Sequence, residues 1–130
     1  MKAILSIKPQ FVDKIVKGEK KFEYRKKIFK KEIEAVIIYS TKPVGKFIGE
    51  FKVKNIIKDE PTKVWNQTNL LSGINYEYYK SYFDNHDIAY ALEIDDLVIY
   101  DTPIVPNKNF NPPQSFCYCD NEFLTIQKKH

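Results

Sequence analysis

The chain opens on an alternation of the strand period. Over Lys2–Ile7, Ala3, Leu5 and Ile7 face one side and Lys2, Ile4 and Ser6 the other. The period then changes. From Pro9 onward Phe11, Val12, Ile15 and Val16 recur at helical spacing and make one apolar stripe. Pro9 suits a first helical position, where an N–H would be unpaired anyway. The stripe predicts a short core-facing helix ending at Lys17 and Gly18, with lysines near its carbonyl end and a glycine free to turn left-handed. Alternation resumes over residues 21–25, with Phe22 and Tyr24 on one face and Lys21, Glu23 and Arg25 on the other.

The remainder reads as strands with helical interruptions. Residues 26–34 are polar and basic, the pattern of a mobile loop. Residues 35–39 form a continuous apolar run and predict a buried strand. A turn follows at residues 40–43, because Pro43 biases Lys42 away from helix. Residues 45–56 predict a longer strand, in which Gly49 marks a bulge or close backbone approach. Pro61, Val64, Trp65 and Thr68 suggest one or two helical turns, broken by Gly73. Asn75 is placed to cap a second helix whose stripe is Tyr76, Tyr79, Tyr82 and Phe83, read as core. Residues 88–94 and 97–100 predict two strands joined tightly at Asp95 and Asp96. Residues 102–106 are extended and 107–113 a loop. Residues 114–118 read as a short strand or pocket-closing segment, 121–126 as a last strand, and Gln127 onward as a polar tail.

Composition narrows the class. A chain of 130 residues suits one domain, spanning 1–130, and buries roughly two-thirds of its unfolded surface. Nine Phe and nine Tyr with 43% hydrophobic residues favour a packed β-rich domain over disorder. No apolar run reaches membrane-helix length and no signal peptide is visible, so a cytoplasmic protein without membrane partners is expected. Cys117 and Cys119 are one residue apart, too close for an easy disulfide, and His86 and His130 are distant. They read as reduced thiols, and no metal or cofactor is expected. Phosphate loops, metal-protease motifs and nucleophile elbows are missing.

Charge adds a local feature. Nine basic residues lie between positions 14 and 31 against only Glu19 and Glu23, so that window carries +7 and the rest of the chain −3 of the net +4. Such a cluster attracts phosphates; it also suits a solubilising loop. Within the window, Glu23 and Arg25 share a strand face. They make either an orienting pair able to meet a polar planar ligand or a solvated charged face.

Gly18, Lys20, Glu23 and Arg25 spell GxKxxExR, and at these residues the chain resembles the ASCH domain family. The resemblance implies an α+β fold: a small, mostly antiparallel PUA-like β-barrel with two or three short helices. It also implies binding of RNA or a modified nucleotide in a cleft beside the motif. Some small members act as amidohydrolases on acetylated cytidine, with a threonine nucleophile where this chain has Glu23; a regulatory protein-interaction domain is the third reading. No catalytic residue and no protein partner is assigned. On the binding reading, Glu23 accepts from a base edge, while Lys20 and Arg25 hold phosphate or orient Glu23. Lys20 is taken to sit in the turn before the strand, where strand parity does not hold. Ser6 and Lys8, Tyr39 and Ser40 end strands that converge on the same cleft. Gln114 and Ser115 supply a polar wall. Trp65 is either a stacking platform or a core plug. Lys26, Lys27, Lys30 and Lys31 are the candidate phosphate contacts.

Overall fold

The computed structural model describes residues 1–128; Lys129 and His130, the end of the expected tail, lie outside the described residues. Strand β1 (Lys2–Ile7) leads into helix α1 (Pro9–Val16), then β2 (Phe22–Arg25), β3 (Val36–Ser40) and the long β4 (Lys46–Asp59). Helix α2 (Pro61–Thr68), a 3-10 turn (Asn69–Leu71) and α3 (Tyr76–Tyr82) precede β5 (Ala89–Ile104), β6 (Phe116–Cys119) and α4 (Phe123–Lys128). The six strands form one sheet in the order β2-β5-β4-β3-β1-β6. Only β1 and β3 pair in parallel; the other neighbours are antiparallel.

The sheet curls into a half-barrel because its central strands are bulged. Register shifts interrupt β3–β4 once and β4–β5 three times. Each extra residue bends its strand and increases the local twist. One of these bulges replaces the expected turn at Asp95 and Asp96. Asp96 takes φ 47°, yet Asp95 still pairs with Lys52 and Val98 with Glu50, so β5 runs on along β4 instead of folding back. The two strands expected there are one.

Burial explains the continuous apolar run of β3. One cluster joins Ala3, Leu5, Val36 and Ile38 to Val12 and Ile15 of α1 and to Phe51 and Leu92. A second, on the opposite face, joins Ile4, Ile37 and Tyr39 to Phe47 and Ile104. Strands β1 and β3 are therefore covered on both sides, the setting in which parallel pairing is usual. A third cluster packs Val64, Tyr79 and Phe83 on Tyr24, Ala89 and Ala91.

Further expectations are corrected. Residues 121–126 were expected as a strand, but Phe123–Lys128 is helical. The Asp120 carboxylate accepts the Glu122 N–H at 3.0 Å, and Phe123 packs on Phe47 at 5.5 Å between ring centres. Gln127, expected in a polar tail, is buried and accepts the Asn107 N–H at 2.8 Å. Residues 26–34 are irregular as expected, but not free of the core. Ile28, Phe29 and Ile33 pack against it, and Phe29 meets Phe116 edge-on at 4.9 Å. Among the described residues there are four α-helices, against two or three expected. Among the described residues no helix is long and apolar enough to cross a membrane.

Phe47 is fully buried and touches Tyr39, Phe110 and Phe123. Phe47→Ala should cost about 3–5 kcal/mol of folding free energy, the usual range for a truncated core aromatic. Chemical denaturation monitored by the single Trp65 checks this. A loss under about 1 kcal/mol would mean the second face is loosely packed.

Candidate functional site

The site begins at the helix stop. Gly18 (φ 78°) ends α1 with a Schellman arrangement: the Gly18 N–H reaches the Ile15 carbonyl and the Glu19 N–H the Lys14 carbonyl. The chain leaves the helix with Lys20 in an isolated bridge to Ser72, before β2 begins. Strand parity therefore does not apply to Lys20, and its amine turns toward Glu23. Gly73 (φ 67°) packs so closely on Lys20 that an added Cβ would lie 2.3 Å from the Lys20 Cβ. The Lys20 ammonium donates to the Ser72 carbonyl at 2.9 Å and lies over the rings of Tyr24 and Phe11.

Three buried charges then stand in a row. The Glu23 carboxylate receives Arg25 Nη2 at 2.7 Å on Oε2, and Lys20 Nζ lies 3.6 Å from Oε1. Lys20 is only 2% exposed, Glu23 6% and Arg25 7%. Burial is the main influence on Lys20 and pushes its amine below the ordinary lysine pKa, with Glu23 opposing. The Arg25 guanidinium also reaches across the open seam of the sheet. Nη2 donates to the Ser6 carbonyl at 2.8 Å, and Nη1 makes two long bonds at 3.3 Å to the carbonyl and hydroxyl of Ser115. Arg25 Nε is buried without a partner.

Above this row opens a cleft of about 510 Å³. Its floor is Lys20, Glu23, Tyr24 and Arg25; Ser6, Lys8, Gln114 and Ser115 line one side. Phe11, Ile74, Tyr78 and Tyr82 supply an apolar wall, and Lys26 and Lys27 reach the rim. Lys8 lies over the Tyr78 ring and Lys26 over the Tyr82 ring, at 5.3 and 4.4 Å from the centres. Tyr24 donates or accepts at Thr68 Oγ1 over 2.7 Å, and burial raises its pKa to about 12.

The structure thus brings together Ser6, Lys8, Lys20, Glu23, Arg25, Lys26, Lys27, Gln114 and Ser115. It does not bring Tyr39, Ser40, Trp65, Lys30 or Lys31 to this cleft. Tyr39 turns to the opposite face, against Phe47 and Phe110. Ser40 is buried in the β3 pairings with Ile7 and Lys46, and the next residue, Thr41, is the one that lines the cleft. Trp65 packs on Tyr76 and Tyr79, as a core plug. Lys30 and Lys31 are held at Tyr118: its hydroxyl accepts both backbone N–H groups, and the Lys31 amine sits over its ring.

Sequence reasoning missed Phe11, Tyr24, Thr41, Ile74, Tyr78 and Tyr82. The spacing of Tyr78 and Tyr82, four apart on α3, was the available signal: Tyr82, expected in the core stripe with Tyr76, Tyr79 and Phe83, shares a face with Tyr78 and lines the cleft, while Tyr79 and Phe83 are buried and Tyr76 is exposed. Among the described residues no group of three or more His, Cys, Asp or Glu side chains could hold a metal ion. Cys117 and Cys119 are free, and burial pushes both thiols up, Cys119 to about 11.

The motif, the curled mixed sheet and the cleft at its seam are joined by a family match. The ASCH domain model matches residues 5–98. The chain belongs to the ASCH domain family. An ASCH domain-containing ribonuclease of Zymomonas mobilis is 29% identical over 130 aligned positions, covering 92% of this chain and 85% of that protein. The crystal structure of ASCH from Zymomonas mobilis superposes with a TM-score of 0.86 at 27% identity, over 98% of this chain and 92% of the other. A point mutant of the Zymomonas mobilis protein gives 0.87 at 26% identity, over 96% and 94%. A match at 29% identity also covers 88% of this chain but only 15% of ATP synthase subunit alpha of Ureaplasma parvum. The α+β, PUA-like class expected from the motif is the observed one, in the form of a six-stranded half-barrel.

In this ASCH domain Lys20 carries a pH signature. Its folded pKa is lowered relative to the unfolded chain, so between those two values the unfolded state binds more protons. Stability attributable to Lys20 should therefore rise as pH climbs toward about 10.5, the ordinary lysine value. Lys20→Met removes this term and leaves the buried tyrosines, whose titration acts in the opposite sense, common to both proteins. The difference in unfolding free energy, wild type minus Lys20→Met, should grow between neutral and alkaline pH. A flat difference would mean Lys20 keeps an ordinary pKa in the folded state, and a shrinking one that Glu23 outweighs burial and raises it.

Proposed function

We propose that this ASCH domain binds single-stranded RNA, seating one base on the Lys20–Glu23–Arg25 floor and passing the phosphates along the lysine rim. The observation that carries the reading is the division of labour in the cleft. The floor is a buried carboxylate between two cations already engaged with it and with main-chain carbonyls. A phosphate placed there would face the Glu23 carboxylate, so Lys20 and Arg25 are poorly placed to hold it. A neutral base edge can instead use both donors and acceptor. Positive charge that takes part in no ion pair among the described residues lies at Lys8, Lys26 and Lys27, with the Lys8 and Lys26 amines over the Tyr78 and Tyr82 rings. Tyr78, Tyr82 and Phe11 line the cleft with aromatic rings, the side chains against which an unstacked base usually packs. The ribonuclease name of the Zymomonas mobilis relative supports RNA as the ligand class. Nothing in the floor requires the base to be modified.

A second reading is that bound RNA is also cut. It is favoured by the same relative and by Lys20, whose amine burial shifts toward the neutral form beside a carboxylate, as in many proton-transfer sites. Incubation of end-labelled RNA with wild type and Lys20→Met decides this. Fragments formed only by the wild type establish cleavage, and RNA left intact by both leaves a binding module.

Affinity for RNA should fall with salt, by about 0.7 in the log–log slope for each single-strand phosphate neutralised. Lys26→Ser with Lys27→Ser should flatten that slope by about 1.4, whereas Lys30→Ser with Lys31→Ser, away from the cleft, should change it less. Fluorescence anisotropy across a salt series measures both. A larger effect from the second pair would place the phosphate track outside the cleft.

A further inference from the structure

We infer that the cleft floor reads the imide edge of a uracil base, an assignment that rests on the RNA-binding reading above. The argument starts from the order of the three charged side chains. Glu23 stands between Lys20, 3.6 Å from Oε1, and Arg25, 2.7 Å from Oε2. Read across the floor, the row is donor, acceptor, donor.

Each member has capacity to spare. A separation of 3.6 Å exceeds hydrogen-bond length, so the Lys20 contact leaves Glu23 Oε1 able to accept a hydrogen bond. Lys20 Nζ donates one bond, to Ser72, and an ammonium carries three N–H groups while a neutral amine carries two. Arg25 Nη1 holds only two contacts, both long at 3.3 Å, so it can turn to a better-placed acceptor.

The complement of this row is acceptor, donor, acceptor. Uracil presents it along one ring edge, with N3–H between two carbonyl oxygens. Cytosine places a ring-nitrogen lone pair against the Glu23 carboxylate. Guanine keeps an N–H but flanks it on one side with an amino group, a donor facing a cation. Adenine offers an amino group between two ring nitrogens, spaced more widely and without carbonyl oxygens. A wrong base therefore sets a lone pair against the carboxylate or an amino donor against a cation, the kind of mismatch by which polar sites discriminate strongly. The Tyr82 ring, with the Lys26 amine 4.4 Å from its centre, puts a stacking face and a phosphate-seeking charge beside each other at the rim.

The test is anisotropy of labelled oligo-U, oligo-C, oligo-A and a mixed-sequence RNA, all at one salt concentration. Oligo-U should bind about tenfold or more tightly than oligo-C, the scale of one well-matched base contact. Replacing uridine by 3-methyluridine, which removes the N3–H, should abolish the preference, and Glu23→Gln should narrow it. The methylated RNA needs no change in the protein, so it decides even where Glu23→Gln fails to fold. Equal affinities for all sequences, or a preference for C or A, overturn the imide assignment and leave RNA binding standing. Binding of none of these RNAs, the mixed sequence included, overturns both.

Discussion

A carboxylate taken out of water costs several kcal/mol unless cations and hydrogen bonds replace the lost solvation. Glu23 is such a group, and much of the site is arranged to satisfy it. Its two cations are themselves held by different parts of the chain. Lys20 is fixed by the Ser72 carbonyl and by close contact with Gly73. Arg25 is fixed by Ser6 at the end of β1 and by Ser115 just before β6. One buried negative charge thus ties together the exit of α1, strand β2, the turn after the 3-10 segment and the far end of the sheet.

The same row closes the half-barrel. Strands β2 and β6 are the two ends of the sheet and share no backbone pairing. The Arg25 guanidinium spans the seam between them, where a closed barrel would have strand-to-strand hydrogen bonds. Bulges in the central strands supply the curvature that brings the ends within reach of one side chain. A seam bridged by a side chain, and not by backbone, leaves room above it, and that room is the cleft.

Helix α3 separates two jobs by helical phase. Tyr79 and Phe83 turn inward onto Tyr24, Val64 and Ala91. Tyr78 and Tyr82 turn to the cleft, each with a lysine over its ring. Packing on one face holds the other in position, so the wall is preorganised.

Local chemistry made much of this legible. The stripe of α1, the stop at Gly18, the buried run of β3, and the shared strand face of Glu23 and Arg25 follow from spacing, and their physics acts over a few residues; Lys20 joins them through the family signature. The family signature lies in that same short stretch. What the sequence could not show depends on distant contacts. Asp95 and Asp96 look like a turn, and become a bulge only because β4 is long enough to pair on both sides of them. Residues 121–126 contain enough apolar positions for a strand, but Asp120 and the Phe47–Phe110 surface select a helix. Lys30 and Lys31 belong to the same basic run as Lys26 and Lys27, yet Tyr118, far along the chain, draws them away. Glu23, Arg25 and the strand that carries them are legible in local patterning, and Lys20, Gln114 and Ser115 come with the family signature and the cleft it implies. The aromatic wall from α1 and α3 appears only on folding, because the closing of the seam is a long-range event with no local signal.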